Sequence, residues 1–574
     1  MTRSLLILYG SETGNAQDCA ETVFRIARRL GCDARLSAMD RYPFIRIVDE
    51  NLVVFVASTT GQGAVPANMK APCSSTILIL EILVLVAPQQ PPRRPAACLE
   101  IRHLWPRRLQ LYKLEQRLSQ LGAQSILPRG EGDDQHPHGL AVFDHSDSRV
   151  DGGFVPWLDK LKAFIHPDTP IPDALPPDAI LPPIHSISVH SDSIMGLHSD
   201  SIMGLQSDSI MGLHSDSIMG LHSLDSHSME GSIPVVVVQN MRITAKDHWQ
   251  DVRHIIFKSH PLDFDPGDVA VIYPLNPPPD VSLFCQLQRY NATTMVSVSS
   301  YPHPIPLHHL IACHLDIHSI PRRSFFNLAS YFTTNPTHQQ KLVQLSSPEN
   351  SDDLYDYTSR PRRTILEVLA DFPDIRIPLE YLLDVIPPLH PRHFSIANST
   401  EKTEIHLAAA IVRYKTILWK ERWGVCSRYL DSLIIGTCHT TRLTLGTTIS
   451  IDIEKSWVKL PDSKTPMVLI GPGTGIAPMR SLIQSRSQNP AAETILFFGC
   501  RNKEKDFLFR DEWKYHNVVL FPAFSRDQKN KEYVQHVITR QHQLIRDIVR
   551  RGAWEFGENA TGRSSLSVGY SRAC

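Results

Sequence analysis

One local pattern stands near both ends of this chain: a short apolar strand, a loop of glycine and hydroxyl residues, then a helix. Leu5-Leu6-Ile7-Leu8-Tyr9 runs into Gly10-Ser11-Glu12-Thr13-Gly14-Asn15-Ala16 and a helical stretch to Leu30. Met467-Val468-Leu469-Ile470 runs into Gly471-Pro472-Gly473-Thr474-Gly475-Ile476-Ala477-Pro478 and a second helix. Strands that alternate with helices build parallel βαβ units, and such sheets take ligands at the carboxyl ends of their strands. The pattern predicts an α/β block at each end, and 574 residues leave room for more than these two domains.

The middle of the chain differs in texture. Residues 166–232 open Pro-rich and pass through four copies of Ser-Asp-Ser-Ile-Met-Gly-Leu-His/Gln over 191–222. Near-identical copies with only three large apolar residues each cannot build a core, so the stretch reads as a tether. From Ile233 the pattern is β, with helical segments around 324–346 and 363–386 and a β-rich stretch near 390–452. We therefore expect a doubly wound α/β domain over 1–165, a repeat-containing linker over 166–232, an antiparallel β-barrel with a helical insert over 233–455 and a second α/β domain over 456–574. Residues 73–112 interrupt the first domain with no clear period of either kind.

Composition narrows the function classes. A formal charge of -1, from 58 basic and 59 acidic residues, argues against a chain-wide nucleic-acid footprint. Ten Cys without regular spacing read as reduced thiols, and the longest apolar run, Ile77 to Ala87, falls short of the roughly 20 residues a membrane helix needs. These features point to a soluble intracellular protein. His308, His309, Cys313, His314 and His318 fit no tetrahedral zinc spacing, so packing histidines are expected and no metal.

Chemistry concentrates in the loops. Ser11 to Ala16, between a strand and a helix N-terminus, offers exposed N–H groups, a favourable helix dipole and no bulky side chain, the requirements of a phosphate site. The plain alternative is an ordinary βα turn. A second such loop, Ser58-Thr59-Thr60-Gly61, follows the next buried run and favours a ligand gripped by successive loops of one sheet edge.

These residues resemble the flavodoxin-like domain of diflavin reductases. The resemblance implies that Ser11, Glu12, Thr13, Gly14, Asn15 and Ala16 hold the FMN phosphate and that Ser58, Thr59, Thr60 and Gly61 lie by the ring, with Asp133 in a later Gly-Asp-Asp-Gln loop. The family's third loop, beside the isoalloxazine, has no match within 73–112, which leads us to expect weak FMN binding. Arg392-His393-Phe394-Ser395 resembles the Arg-x-aromatic-Ser motif of ferredoxin-reductase-type FAD barrels. It implies an Arg fork on pyrophosphate, an aromatic on the flavin and Ser395 as the catalytic hydroxyl near its reactive edge. Gly424-Val425-Cys426-Ser427 resembles the second pyrophosphate turn, and Arg360-Pro361-Arg362-Arg363 matches a further family motif in which Arg362 is the ligand contact, a solvated basic cluster being the alternative. The second α/β domain resembles ferredoxin-NADP-reductase-type modules. Thr474 would lie at the nucleotide loop, and Ser525-Arg526 with Lys531-Glu532-Tyr533-Val534-Gln535 would select the ribose 2′-phosphate, favouring NADPH over NADH.

Taken in order, these modules are similar to the NADPH-dependent diflavin oxidoreductases, soluble relatives of cytochrome P450 reductase. The stretch from Ser346-Ser347-Pro348-Glu349 to Arg360-Pro361-Arg362-Arg363-Thr364-Ile365-Leu366 and the absence of an N-terminal membrane helix favour that group. The resemblance implies a hydride passed from NADPH to FAD, single electrons passed to FMN, and an iron–sulfur protein acceptor of the anamorsin type in cytosolic iron–sulfur cluster assembly. It also implies a cytoplasmic location, with mitochondrial association as a second option. Two alternatives stay open: a flavin reductase serving a haem protein, P450 or sulfite, and a catalytically incomplete product of a faulty gene model. The second follows from the C-terminus, where the tail after Trp554 reads as too short and polar for the strand and helix that complete such modules.

Overall fold

Leu5, Leu6, Ile7 and Leu8 are all buried, so the first strand is apolar on both faces, as a central parallel strand requires. In the computed structural model the described residues are 4–58, 66, 68–69, 94–102, 114, 118–120, 123–128, 130–133, 149–165, 179–189, 232–299, 301–435, 437–439, 442–444, 446–456, 458, 460–487 and 492–557. Thr59, Thr60, Gly61 and the octapeptide repeats lie outside them. The chain divides into two units, 1–186 with 320–359 and 374–387, and 187–319 with 360–373 and 388–574.

In the first unit, β1 (Ser4–Gly10) leads into α1 (Asn15–Arg29), β2 (Asp33–Ala38) and β3 (Val53–Ser58), followed by β4 (Arg94–Arg102), β5 (Ala123–Ser125), β6 (Gly130–Asp133) and α2 (Arg149–Ile165). The sheet is parallel in the order β2-β1-β3-β4-β5, with β6 also paired to β4. This is the flavodoxin order, whose switch point lies between β1 and β3. Small residues of α1, Ala16, Ala20 and Ala27, let it pack closely on Leu5 and Ile7, and Trp157, Leu158 and Leu161 of α2 complete that layer. Leu6, Leu8 and Phe55 face the other way, onto Met39, Met69 and Leu114. β4 falls inside the segment that reads as irregular. Its backbone pairs on both sides, Phe55↔Cys98 toward β3 and Ile101↔Gly132 toward β6, so neighbouring strands impose the conformation that the local pattern lacks.

The second unit holds two sheets of interest. Its barrel is built from β8 (Ile233–Arg242), β9 (Asp251–Lys258), β10 (Val269–Ile272), β12 (Arg392–Ser395), β13 (Glu404–Ile411) and β14 (Thr448–Glu454), antiparallel in the order β12-β10-β14-β8-β9-β13. Past β12 the Ala397 N–H donates to the His406 carbonyl of β13 at 2.8 Å, which brings the two edge strands together and nearly closes the sheet. Val235, Val237, Ile255, Phe257, Ile405, Leu407, Ile449 and Ile451 fill it. Helices α3 (Pro278–Gln288), α4 (Leu307–His314) and α5 (Ile365–Asp371) belong to the insert, as does β11 (Met295–Val298), which pairs with β7 (Ile187–Val189). Helix α6 (Val425–Ser432) follows the barrel strand β13.

The last sheet comprises β15 (Met467–Pro472), β16 (Thr494–Cys500), β17 (Val519–Phe524) and β18 (Trp554–Gly557), parallel in the order β17-β16-β15-β18. Helix α7 (Ile476–Ser487) connects β15 to β16, and α8 (Val534–Arg540) and α9 (His542–Arg550) lead to β18. A 3-2-1-4 order places a ligand crevice at the carboxyl end of β15. The expectation that the tail after Trp554 is too short and polar for a strand is corrected by β18. Its Trp554 and Phe556 alternate with Glu555, their rings stack at 5.6 Å, and Phe556 is buried in the core beside Leu469.

Candidate functional site

The first site forms where β1 and β3 end side by side, Gly10 opposite Ala57. Gly14 turns the chain at φ 86, a left-handed conformation that glycine adopts freely, and α1 begins at the next residue with its N–H groups facing the loop. The Ser11 N–H donates to the Asn68 side-chain oxygen at 2.9 Å, which fixes the loop. Among the described residues the buried Ser11 hydroxyl has no hydrogen-bond partner. Ser58 is buried, and its hydroxyl reaches the Gly10 carbonyl only at 3.5 Å. Asp133 ends β6, opposite Arg102 of β4 on the same sheet. Of the second loop, Thr59, Thr60 and Gly61 are not among the described residues.

The second site lies on the barrel. Arg392 and His393 are exposed and Phe394 and Ser395 half-buried along β12, with Phe394 packed against the barrel core. Among the described residues the Ser395 side chain makes no hydrogen bond. Gly424 caps α6, its N–H donating to the Val412 carbonyl at 3.0 Å, while the Ser427 hydroxyl accepts from the Val412 N–H at 2.9 Å. A Cβ at Gly424 would stand 3.3 Å from both Ser427 Oγ and Val412 Cβ, so this turn sits close to its neighbours. Burial pushes the Cys426 thiol up to about 12, against the opposing Arg392 charge, so Cys426 is a neutral packing group. Val425 opens α6 between Gly424 and Cys426.

The loop that carries Arg362 is tied to the strand before Gly424 by a device the motif does not show. Arg362 is exposed, in a left-handed backbone at φ 54, just before the capping box of α5 formed by Thr364 and Glu367. Burial works against the Glu367 charge, but Arg422, Lys420 and the Thr364 N–H outweigh it and hold the carboxyl at about 2. Arg422 Nη1 donates to Glu367 at 2.8 Å, which ties the Arg360–Arg363 loop to the strand that leads into Gly424. Among the described residues the buried Arg422 Nε–H has no partner.

The third site opens at the carboxyl end of β15. Thr474 lies half-buried in the short turn Gly473–Gly475, and Gly475 is buried beneath it. Ser525 is buried at the end of β17, its N–H donating to the Cys500 carbonyl, whereas Arg526, Lys531, Tyr533 and Gln535 are exposed. Glu532 is paired with Arg540, which offsets its charge at this edge. The Val534 side chain is 8% exposed and packs in the core with Val468 and Phe497, leaving only its backbone to face a nucleotide. Behind the turn, α7 grips the segment that follows Ser395. Arg480, 6% exposed, forks onto Glu512 at 2.6 and 3.1 Å and donates to the Ala397 carbonyl at 2.7 Å. The buried Ser481 hydroxyl donates to the Asn398 carbonyl at 2.8 Å.

Residues 7–90 match the flavodoxin family, 227–429 the FAD binding domain family and 469–551 the oxidoreductase NAD-binding domain family. An NADPH-dependent diflavin oxidoreductase 1 of Schizosaccharomyces pombe is 36% identical, over 98% of this chain and 93% of its own length. Proteins of the same name are 37% identical in Xenopus laevis, over 95% of the chain and 90% of theirs, and 34% identical in Mus musculus, over the same shares. The chain belongs to the NADPH-dependent diflavin oxidoreductases. It is an oxidoreductase whose cofactors are FMN, FAD and NADPH.

The residues of this diflavin oxidoreductase suit those groups. An unpartnered Ser11 hydroxyl beside a helix N-terminus fits the FMN phosphate, and an unpartnered Arg422 Nε–H near the Gly424 turn fits a pyrophosphate. The buried Ser525 and exposed Arg526 fit a ribose phosphate. Sequence reading missed Asn68, Glu367 and Arg422, none of which lies in a glycine loop. Asn68 stood at the end of the recognisable first-domain pattern. The insert histidines are engaged locally: His308 with the Ala292 carbonyl at 2.8 Å, His314 with the Tyr301 hydroxyl, and His318 with Asp280 at 3.0 Å. Among the described residues no three His, Cys, Asp or Glu side chains gather as a metal-ligand set, and no helix is long and apolar enough to cross a membrane.

Proposed function

We propose that this diflavin oxidoreductase passes electrons from NADPH, by way of FAD and FMN, to an iron–sulfur protein of the anamorsin type, and that it serves cytosolic iron–sulfur cluster assembly from the cytoplasm. The carrying observation is that one chain presents three separate phosphate-fitting sites at two sheet switch points and one barrel turn. When bound, the nicotinamide supplies two electrons as a hydride, and a flavin pair releases them singly, which is what a one-electron acceptor requires. The chain's own residues anchor the phosphates, present the Ser395 hydroxyl at the barrel edge and, through Arg480 and Ser481, hold the Ala397–Asn398 segment against the nucleotide-loop helix. The acceptor is inferred from the family resemblance over Ser346–Leu366. Anaerobic mixing of the NADPH-reduced protein with a purified anamorsin-type protein, cytochrome c and a P450 tests it. Bleaching of the iron–sulfur absorbance should outpace reduction of either haem protein at matched concentrations. Faster reduction of a haem acceptor would overturn the assignment.

A further inference from the structure

The FMN loop carries no cation of its own. From Gly10 to Asp18 the charged residues are Glu12 and Asp18, both acidic, yet a phosphate carrying about two negative charges has to settle there. The charge arrives from far along the chain. Arg322, at the start of the insert helix Arg323–Ala329, belongs to the same unit as the flavodoxin module and donates through Nη2 to the Thr13 carbonyl at 2.7 Å. Its two terminal nitrogens lie 3.0 and 3.1 Å from the point where a Cβ at Gly14 would stand. Among the described residues Thr13 is the hydrogen-bond partner of this half-buried guanidinium, so most of its five N–H donors are unspent.

This placement is held by a built interface. Asp18, Arg25 and Arg29 recur at helical spacing along α1, on one face. Ser324 donates to Asp18, Arg25 faces Asp384 at 3.7 Å, and Arg29 donates to the Tyr331 hydroxyl at 3.3 Å. Three contacts in order along one helix fix the first unit's own segments around Ser324, Tyr331 and Asp384 against α1, and Arg322 is the member of that row that meets the loop.

We propose that Arg322 is a ligand of the FMN phosphate, so that one side chain joins cofactor binding to the seating of its own 320–359 segment on the flavodoxin module, within one unit. The inference rests on reading Ser11–Ala16 as the phosphate loop. By linkage, whatever tightens the seating tightens FMN, and FMN in turn tightens the seating.

The test uses the full chain with FAD retained and FMN removed, titrated separately with FMN and with riboflavin while flavin fluorescence quenching is followed. Riboflavin has the same ring and ribityl chain without the phosphate. Arg322→Ala should weaken FMN about tenfold, the scale of one charge-assisted hydrogen bond, and leave riboflavin within about twofold. Arg322→Lys should lie between, since it keeps the charge and loses the fork. Ser11→Ala is the control for the loop, and retained FAD content reports folding. If Ser11→Ala weakens FMN and Arg322→Ala does not, the loop reading stands and the Arg322 assignment falls. Equal loss of FMN and riboflavin in Arg322→Ala would reduce its role to packing, and an unchanged FMN affinity in both variants would remove the loop reading and the proposal together.

Discussion

His254 shows what a single buried residue imposes on this protein. Its ring faces Gln239 at 3.1 Å, His406 at 3.2 Å and the Phe509 ring edge-on at 5.3 Å. Burial, then the His406 and Arg480 charges, depress its pKa from 6.5 to about 3, so it stays neutral in the folded protein. In the unfolded chain it takes a proton near 6.5; between that value and about 3 the unfolded state binds more protons and stability falls as pH falls. This group alone should remove about 2 kcal/mol between pH 7 and pH 5, at most ~1.4 kcal/mol per pH unit. Urea midpoints at the two pH values measure the drop, and His254→Gln, which cannot charge, should reduce it by about that amount, leaving the share of the other buried histidines such as His314 and His406. At the nucleotide edge, Arg526 and Lys531 are exposed cations beside the buried Ser525. Replacing both with Ala should weaken NADPH roughly tenfold or more and NADH little, because only NADPH carries the 2′-phosphate. Equal losses for the two coenzymes would show that these residues do not read the phosphate.

At the scale of elements, the strand–loop–helix unit from β15 to α7 depends on how closely its backbone turns. A Cβ at Gly471 would lie 2.8 Å from Met479 Cγ and 2.9 Å from the Gly475 carbonyl oxygen, and the second of these is backbone of the nucleotide turn itself. Gly471→Ala must therefore shift the turn or the helix behind it. We expect a loss of about 1–3 kcal/mol in stability and roughly tenfold in NADPH affinity, read by thermal unfolding and by titration with 2′,5′-ADP. These loops were legible because each combines a run apolar on both faces with glycine and hydroxyl residues, a pairing that few structural roles require. β4 was not legible: Arg-Pro-Ala-Ala-Cys-Leu-Glu-Ile-Arg carries no clear strand period, and its pairing comes from β3 and β6 on either side. β18 was missed because four residues are too few to show a period, and its placement follows from two aromatic rings seated in the core. Arg322 and Glu367 escaped for a different reason. Their partners Thr13 and Arg422 lie 309 and 55 residues away, and only the fold brings them together.

At the scale of the molecule, the first unit is assembled from both sides of the octapeptide repeats, which occupy 191–222. Asp384 is the clearest joint between the two stretches. Its carboxylate, 3% exposed, accepts from the Ile184 N–H at 2.8 Å and the His185 N–H at 3.0 Å and faces the His185 ring at 2.9 Å. Tyr381 adds a hydrogen bond to the Leu181 carbonyl at 3.1 Å, and α1 adds its row of contacts to the insert. A chain cut at a protease site placed within the repeats should therefore not fall apart: the N-terminal fragment should co-elute with the remainder in size-exclusion chromatography. Asp384→Ala leaves two half-buried N–H groups without their acceptor, a cost of about 1–3 kcal/mol, or roughly ten- to a hundredfold in fragment affinity. The pH dependence has a definite sign. Hydrogen bonding to Asp384 raises the His185 pKa above 6.5 in the joined state, so this contribution is complete below 6.5 and is lost as pH rises through the raised value. Burial opposes the Asp384 charge, but His185, the Ile184 N–H and Arg25 lower its pKa below 3.8, so the carboxylate stays charged throughout that range. The cut protein should hold together more tightly at pH 6 than at pH 8.5, and His185→Gln should remove most of the difference. Separation of the wild-type fragments at pH 6 and low salt would show that the contacts across the repeats do not carry the unit.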